Sequence, residues 1–377
     1  VLDVTRYIVV GAGILGASTA YHLAKTGAEV TIIDREDQGQ ATEAAAGIVC
    51  PWLSQRRNKK WYQLVRGGAN YYPDLVQSLL DDGEAETGYK RVGAISLHTD
   101  KDKLDKMVER VLKRRDDAPE IGEVTRLSPT ETYKLFPVLS EEYGAVHVSG
   151  GARVDGRLMR DALLNAAKKH GAVLVKGEAS LVYKKEDTRG VQVDSQFYAA
   201  DQVIVTAGAW AKELFTPLGI NFKVTFQKAQ IVHMKLAEKD TSEWPVVMPP
   251  TNKYLLAFGG GRIIAGSTHE DDTEFDHRTT AGAIHEIFDQ TLSYAPGLYN
   301  SSFLETRVGF RPFTPGFLPV FGYVPEHPGL LAANGLGASG LTSGPFLGAE
   351  LAKLALGQET ELDPADYDLS EAIEIMN

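Results

Sequence analysis

With 377 residues, 43% of them apolar and 24% charged, the chain is long enough for two or three domains of about 150 residues, and its 37 Gly and 17 Pro are too few for a collagen-like or disordered class. Subtracting 50 acidic from 39 basic side chains leaves a net charge of −11, a surface that repels a nucleic-acid backbone. One cysteine, Cys50, allows neither an internal disulfide nor a cysteine zinc cluster.

No run of about 18 apolar residues is present to span a membrane, and the N-terminus lacks the pattern of a secretory leader. The mature chain is therefore expected to begin at or near Val1 and to reside in the cytoplasm. Val1 to Thr5, without an initiator Met, contributes nothing to the fold reading.

The first element is the most informative. Tyr7 to Val10 is a β-rich apolar run, Gly11-Ala12-Gly13-Ile14-Leu15-Gly16 follows, a helical pattern continues to Lys25 and stops at Gly27, and Val30 to Ile33 is a second strand ending in Asp34. In such a βαβ unit the first glycine permits the turn, the second lets backbone approach a pyrophosphate, and the third lets helix and strand pack closely. Asp34, beside Arg35 and 18 residues after Gly16, is placed to accept from a ribose hydroxyl. The segment is predicted to bind a dinucleotide.

Gln38 to Gly47 then forms a loop of small residues, including Thr42, Ala45 and Ala46, where a nicotinamide domain would continue its strands and helices. It reads equally as backbone lying along something flat or anionic and as an Ala-rich helix start. Helical patterns follow over Trp61 to Leu80 and Lys101 to Arg115, the latter ending in a Lys113-Arg114-Arg115 run expected to be solvated. The cluster Arg56-Arg57-Asn58-Lys59-Lys60 is expected to be a solvated loop, with attraction of an anionic substrate or acceptor as the alternative.

Past Gly150, Val154-Asp155 lead into a helix over Arg157 to His170, Val173 to Val175 is a strand, and Gln202 to Thr206 is a buried strand running into Ala207-Gly208-Ala209-Trp210. From Phe222 to Arg311 the texture becomes β-rich, with strands over Lys223 to Lys235, Tyr254 to Phe258 and Arg262 to Gly266 and a helix over Ala281 to Tyr294. This layer is expected to carry the substrate. Near the end, Leu330 to Ala333 precedes Gly335-Leu336-Gly337-Ala338-Ser339-Gly340 and a helix from Leu341 to Leu356. No apolar strand follows Gly357, so the second glycine loop opens no further dinucleotide domain, and its helix start offers free N–H groups to something electron-rich or is simply closely packed.

These features together resemble the D-amino acid oxidase family of flavoproteins over nearly the whole chain. The resemblance rests on Gly11 to Gly16 with Asp34, the Thr42 to Gly47 loop, Thr206 to Trp210, Gly309-Phe310-Arg311-Pro312 and the Gly335 to Gly340 loop. It implies an α/β fold, with a Rossmann-type FAD-binding domain (1–85, 150–215 and 321–377) interleaved with a mixed, β-rich substrate-binding domain (86–149 and 216–320). It further implies FAD held non-covalently by Gly11, Gly13, Ile14, Leu15, Gly16, Asp34, Arg35, Thr42, Ala45, Ala46, Gly47, Ile48, Ala207, Gly208 and Trp210, by Arg311, and by Gly337, Ala338, Ser339, Gly340, Leu341 and Thr342. Arg311 then holds a substrate carboxylate, or ties down the Pro312 to Pro315 turn, and Tyr254 covers the substrate or is a core aromatic. Ala229 stands where relatives often have glycine, and Ala257-Phe258 where they have Pro-Arg, which leaves the substrate's identity open.

The expected activity is oxidation of a small amino acid, glycine-like or D-configured, at its C–N bond. An N-methylglycine or proline-type substrate is the alternative, and a non-catalytic electron-transfer subunit or a nicotinamide-dependent dehydrogenase the competing class. Oxygen or a quinone is the expected acceptor, the latter with peripheral membrane association, and a homo-oligomer is compatible with the sequence. His98, His147, His233 and His269 lack ligand spacing and are read as structural or surface; no metal is expected.

Overall fold

The computed structural model describes residues 4–184, 188–237, 239–271 and 273–376. Two sheets organise them. The first has six strands in the order Val320–Tyr323, Leu330–Asn334, Gln202–Val205, Arg6–Val10, Glu29–Asp34 and Val173–Lys176, with every neighbouring pair parallel except the first. Val9, Ile32, Ile33, Ile204 and Leu331 are completely buried in it, as near-continuous apolar strands covered on both faces must be.

The helix Ile14–Lys25 leaves the first strand and packs between the helices Gly156–Lys169 and Gly340–Ala355. Tight packing is possible because Gly16 has no side chain: a Cβ there would lie 1.8 Å from the Gly11 carbonyl oxygen and 2.5 Å from Thr206 Oγ1. Asp155 starts the helix Gly156–Lys169 by accepting from the N–H groups of Arg157 and Leu158, and its other oxygen accepts from Arg262 at 2.8 Å.

The second sheet has eight strands, in the order Ser302–Phe313, Thr225–Lys235, Arg262–Gly266, Tyr254–Ala257, Val246–Met248, Ala94–His98, Gly144–Val148 and Val124–Leu127. Its segments come from 94–148 and 225–313, whereas the six-stranded sheet draws on 6–34, 173–205 and 320–334. The strand Ile220–Phe222 joins neither sheet and pairs antiparallel with Ile373–Ile375 at the far end of the chain.

One basic run is not the solvated face that charge alone predicts. Arg114 turns inward, and its guanidinium donates to the carbonyls of Trp52 and Ser54 and lies over the Tyr62 ring at 4.9 Å. A buried pair of carbonyls outbids water for a planar multi-donor group.

Two histidines make the fold sensitive to mild acid. His22 lies against Tyr71, its Nε2 2.6 Å from the hydroxyl, and burial pushes its pKa down to about 4; burial does the same to His233, which is 1% exposed. The unfolded chain would bind these protons near the ordinary value of 6.5, so their contribution to stability is complete above that pH and declines as the solution is acidified. We expect the melting temperature to fall between pH 6.5 and about 5, above the range in which carboxylates titrate. A His22→Gln, His233→Gln double variant should flatten that slope, and an unchanged slope would remove these histidines as its source.

Candidate active site

Between the two sheets lies a chamber of ≈ 640 Å³, a volume typical of an organic ligand site. One end is built by the first βαβ unit. Gly11 takes φ +101°, a conformation open to glycine, and Gly13, at the N-cap, has no side chain of its own to accept from the first N–H groups of the helix, which starts at the cavity. Thr42 Oγ1 accepts from Ile14 N at 3.0 Å and thereby ties the small-residue loop to the helix start.

Asp34 holds this end together. Its carboxylate accepts from Ala12 N at 2.6 Å, Glu36 N at 2.5 Å and Gln40 Nε2 at 2.9 Å, which leaves one of about four lone-pair sites for a further donor. Arg35 beside it forms ion pairs with Asp37 at 2.9 Å and Glu178 at 3.1 Å, fixing its guanidinium at the chamber wall.

The middle of the chamber is backbone-rich. The loop through Ala45, Ala46, Gly47 and Ile48 meets the start of the helix Gly340–Ala355, where Thr342 Oγ1 donates to the Ile48 carbonyl at 2.7 Å. That helix also lacks a side-chain cap, so its positive end is available to a ligand. Ala207, Gly208 and Trp210 form the opposite wall, and Asn334 joins the two strand ends by donating to the Gly208 carbonyl at 2.9 Å.

Arg311 closes the far end, on the strand Ser302–Phe313 opposite Gln227. Its Nη2 donates to Ser267 Oγ at 2.7 Å and its guanidinium also meets the Tyr254 hydroxyl, yet Nη1 is buried with no partner among the described residues. Burial lowers the Arg311 pKa and raises that of Tyr254, leaving a cation beside a neutral phenol. A buried guanidinium N–H without an acceptor is costly, so the arrangement suits an anion arriving from the chamber.

Of the residues singled out from the sequence, all but Gly16 line this chamber. Gly16 is set back, where it serves helix packing. Sequence reasoning passed over Asn252 and Ser267 and read His269 as structural or surface, yet all three line the chamber with Arg311. Asn252 sits in the bend just before the strand Tyr254–Ala257, where no strand periodicity marks it. His269 is exposed, as a surface histidine would be, but it also lines the chamber, with a pKa lowered first by desolvation and then by Arg311 and Lys253.

The FAD dependent oxidoreductase family, DAO, matches residues 6–354. The chain is similar to the "Uncharacterized oxidoreductase YurR" of Bacillus subtilis (strain 168), 64% identical over 97% of this chain and 99% of that protein. It is 31% identical to the glycine oxidase of Pseudomonas aeruginosa, over 96% of this chain and 98% of the relative. Among solved structures, the iminodiacetate oxidase IdaA from Chelativorans sp. BNC1 superposes with a TM-score of 0.93 at 45% identity, covering 96% of this chain and 98% of its own.

Proposed function

The chain belongs to the DAO family of FAD-dependent oxidoreductases, and we propose that within it the protein oxidises the C–N bond of a small, glycine-like or D-configured α-amino carboxylate. The observation that carries this reading is the buried, unpartnered Nη1 of Arg311 in a chamber that also presents Tyr254. FAD, when bound, supplies the hydride acceptor.

The residues present fit that cofactor. The glycine turn, the two uncapped helix starts and the small-residue loop leave room and donors for a long anionic dinucleotide. Cys50 lines the same chamber, but its thiol is fully buried and burial pushes its pKa up to about 12, which favours a non-covalently held flavin.

At the substrate end Arg311 would take the carboxylate through its free edge while Ser267 and Tyr254 hold the guanidinium plane. Ala229 and Ile231, on the chamber wall, leave the α-carbon in apolar surroundings. The hydride lost from the α-carbon of a substrate with a neutral amine would go to FAD, and water would then convert the released imine to a carbonyl acid and ammonia or an amine. Oxygen or a quinone would be the final electron acceptor.

A second reading is favoured by His269 and Asn252. They add polar groups beyond the Arg311 clamp, suited to the second carboxylate of an iminodiacetate-type substrate, the compound named for the 45%-identical relative. An anaerobic panel of glycine, N-methylglycine, D-alanine, D-proline and iminodiacetate, followed by loss of flavin colour and then exposure to air, separates these readings. Under the second one, His269→Ala should lower kcat/KM for iminodiacetate by about tenfold and leave glycine nearly unaffected. Equal losses for both would exclude a second carboxylate site there, and absence of bleaching by any of them would overturn the amino-acid reading.

A further inference from the structure

A second cavity, also ≈ 640 Å³, lies between the helices Lys59–Asp81 and Lys101–Arg115 and shares no lining residue with the flavin chamber. Its wall contains Arg56, Arg57, Lys59, Arg66, Arg110 and Arg114, against Glu361 as the one acid among the described lining residues. In a chain of net charge −11 such a concentration of positive charge runs against the average surface. The largely exposed Arg56 to Lys60 cluster therefore also forms, from Arg56 to Lys59, the rim of a cavity.

Two of these cations, Arg56 and Arg114, are held in place without being neutralised. Asn58 caps the first helix by accepting from Trp61 N at 2.9 Å, which fixes the loop that carries Arg56 and Arg57. Arg56 lies over Trp61 at 4.7 Å and donates to the Phe317 carbonyl at 2.5 Å, while Arg114 is spent on two other carbonyls. Carbonyl oxygens position a guanidinium but leave its full charge. Among the described residues, Arg66 is the one lining cation in an ion pair, with Glu120 at 3.5 Å.

Arg110 is the decisive residue. Its Nε and Nη2 are buried and have no partner among the described residues, and the neighbouring Tyr62 hydroxyl is buried and unpartnered too. Desolvation and the charge of Arg114 both push the Arg110 pKa down, as crowding of buried cations does. Two adjacent N–H donors on one planar group match the paired oxygens of a phosphate or carboxylate.

We propose that this cavity is a binding site for a compact small-molecule anion carrying two or more negative charges, of phosphate or carboxylate type. The concave shape and the buried donors call for a ligand that enters, which a flat membrane surface cannot do. The site is separate from the chamber and independent of which amino acid is oxidised there.

The test is calorimetric titration of the FAD-loaded holoenzyme with inorganic pyrophosphate and, separately, citrate, at about 0.15 M sodium chloride, an ionic strength that screens exposed charges beyond roughly 8 Å. Saturable binding of one anion per chain is expected, and the tighter of the two probes identifies the phosphate or the carboxylate class. Arg110→Gln should weaken it by roughly tenfold to a hundredfold, the value of a charge-assisted hydrogen bond. The double variant Arg57→Ala, Lys59→Ala, at exposed positions whose loss cannot disturb the core, should weaken it by a smaller but measurable factor. The flavin absorption spectrum should not change during titration.

Heat no different from added sodium chloride, binding unchanged in both variants, or a flavin spectral shift that tracks binding would each overturn the proposal. So would absence of anion binding together with a changed oligomeric state in Arg110→Gln, since the cations would then meet an acidic surface of a second copy.

Discussion

Replacing Arg311 by alanine is expected to lower kcat/KM by about a hundredfold or more while bound FAD stays in place. Truncating one partner of a desolvated charged pair costs roughly 2–5 kcal/mol, and about 1.4 kcal/mol corresponds to tenfold in rate. Arg311→Lys keeps the charge but loses the planar fork that meets two carboxylate oxygens, so it should fall between wild type and alanine. The competing role for Arg311, tying down the Pro312 to Pro315 turn, has a different signature. In the structure that turn is held by Thr314, whose hydroxyl donates to the Leu318 carbonyl at 2.6 Å, and the Arg311 guanidinium instead engages Ser267. An alanine variant that lost flavin or thermal stability while its remaining holoenzyme kept normal substrate affinity would take Arg311 out of the substrate site.

The unequal legibility of the sequence has a physical origin. The βαβ unit could be read from Tyr7 to Asp34 because close backbone approach demands glycine at fixed spacing and because buried parallel strands are continuous apolar runs. The helix Lys101–Arg115 was read to its exact ends, since Asp100 caps one and a basic turn closes the other. By contrast Ala94–His98, Val124–Leu127 and Gly144–Val148 went unread as strands of the eight-stranded sheet: each is short, and what stabilises it is pairing with partners as distant as Val246–Met248. The same holds at the site. Arg311 stood in a recognisable local string, whereas Ser267 and His269 reach it from 44 and 42 residues away, after a strand separated from that of Arg311 by Thr225–Lys235, and nothing local ties them to it. The basic cavity was visible only as a charged loop, because Arg110 and Arg114 come to it from another helix.

Gly13 and Gly16, three residues apart, should fail in opposite ways when enlarged. At Gly13 the backbone has φ −65°, which any residue adopts, and an added Cβ would meet only Thr42 Oγ1 at 3.4 Å, an ordinary contact. Gly13→Val therefore leaves the protein's own packing intact and fills only the space on the chamber side, where a pyrophosphate must approach backbone N–H groups. The expected product is a folded, colourless protein, with far-UV circular dichroism like wild type and FAD occupancy below about a tenth at micromolar concentration. At Gly16 a Cβ would stand 1.8 Å from the Gly11 carbonyl oxygen, an overlap that no rotamer relieves, and it would also strike Thr206 Oγ1, which bonds the carbonyls of Val10 and Gly11. Overpacking of this kind costs about 1–3 kcal/mol or more, so Gly16→Ala should lower melting temperature and soluble yield before any question of cofactor arises. Measuring absorbance at the flavin band and thermal unfolding on both variants separates the two effects. If Gly13→Val retained stoichiometric flavin, or if both variants lost stability alike, the chamber face of the first turn would not be the surface that receives the cofactor's phosphates.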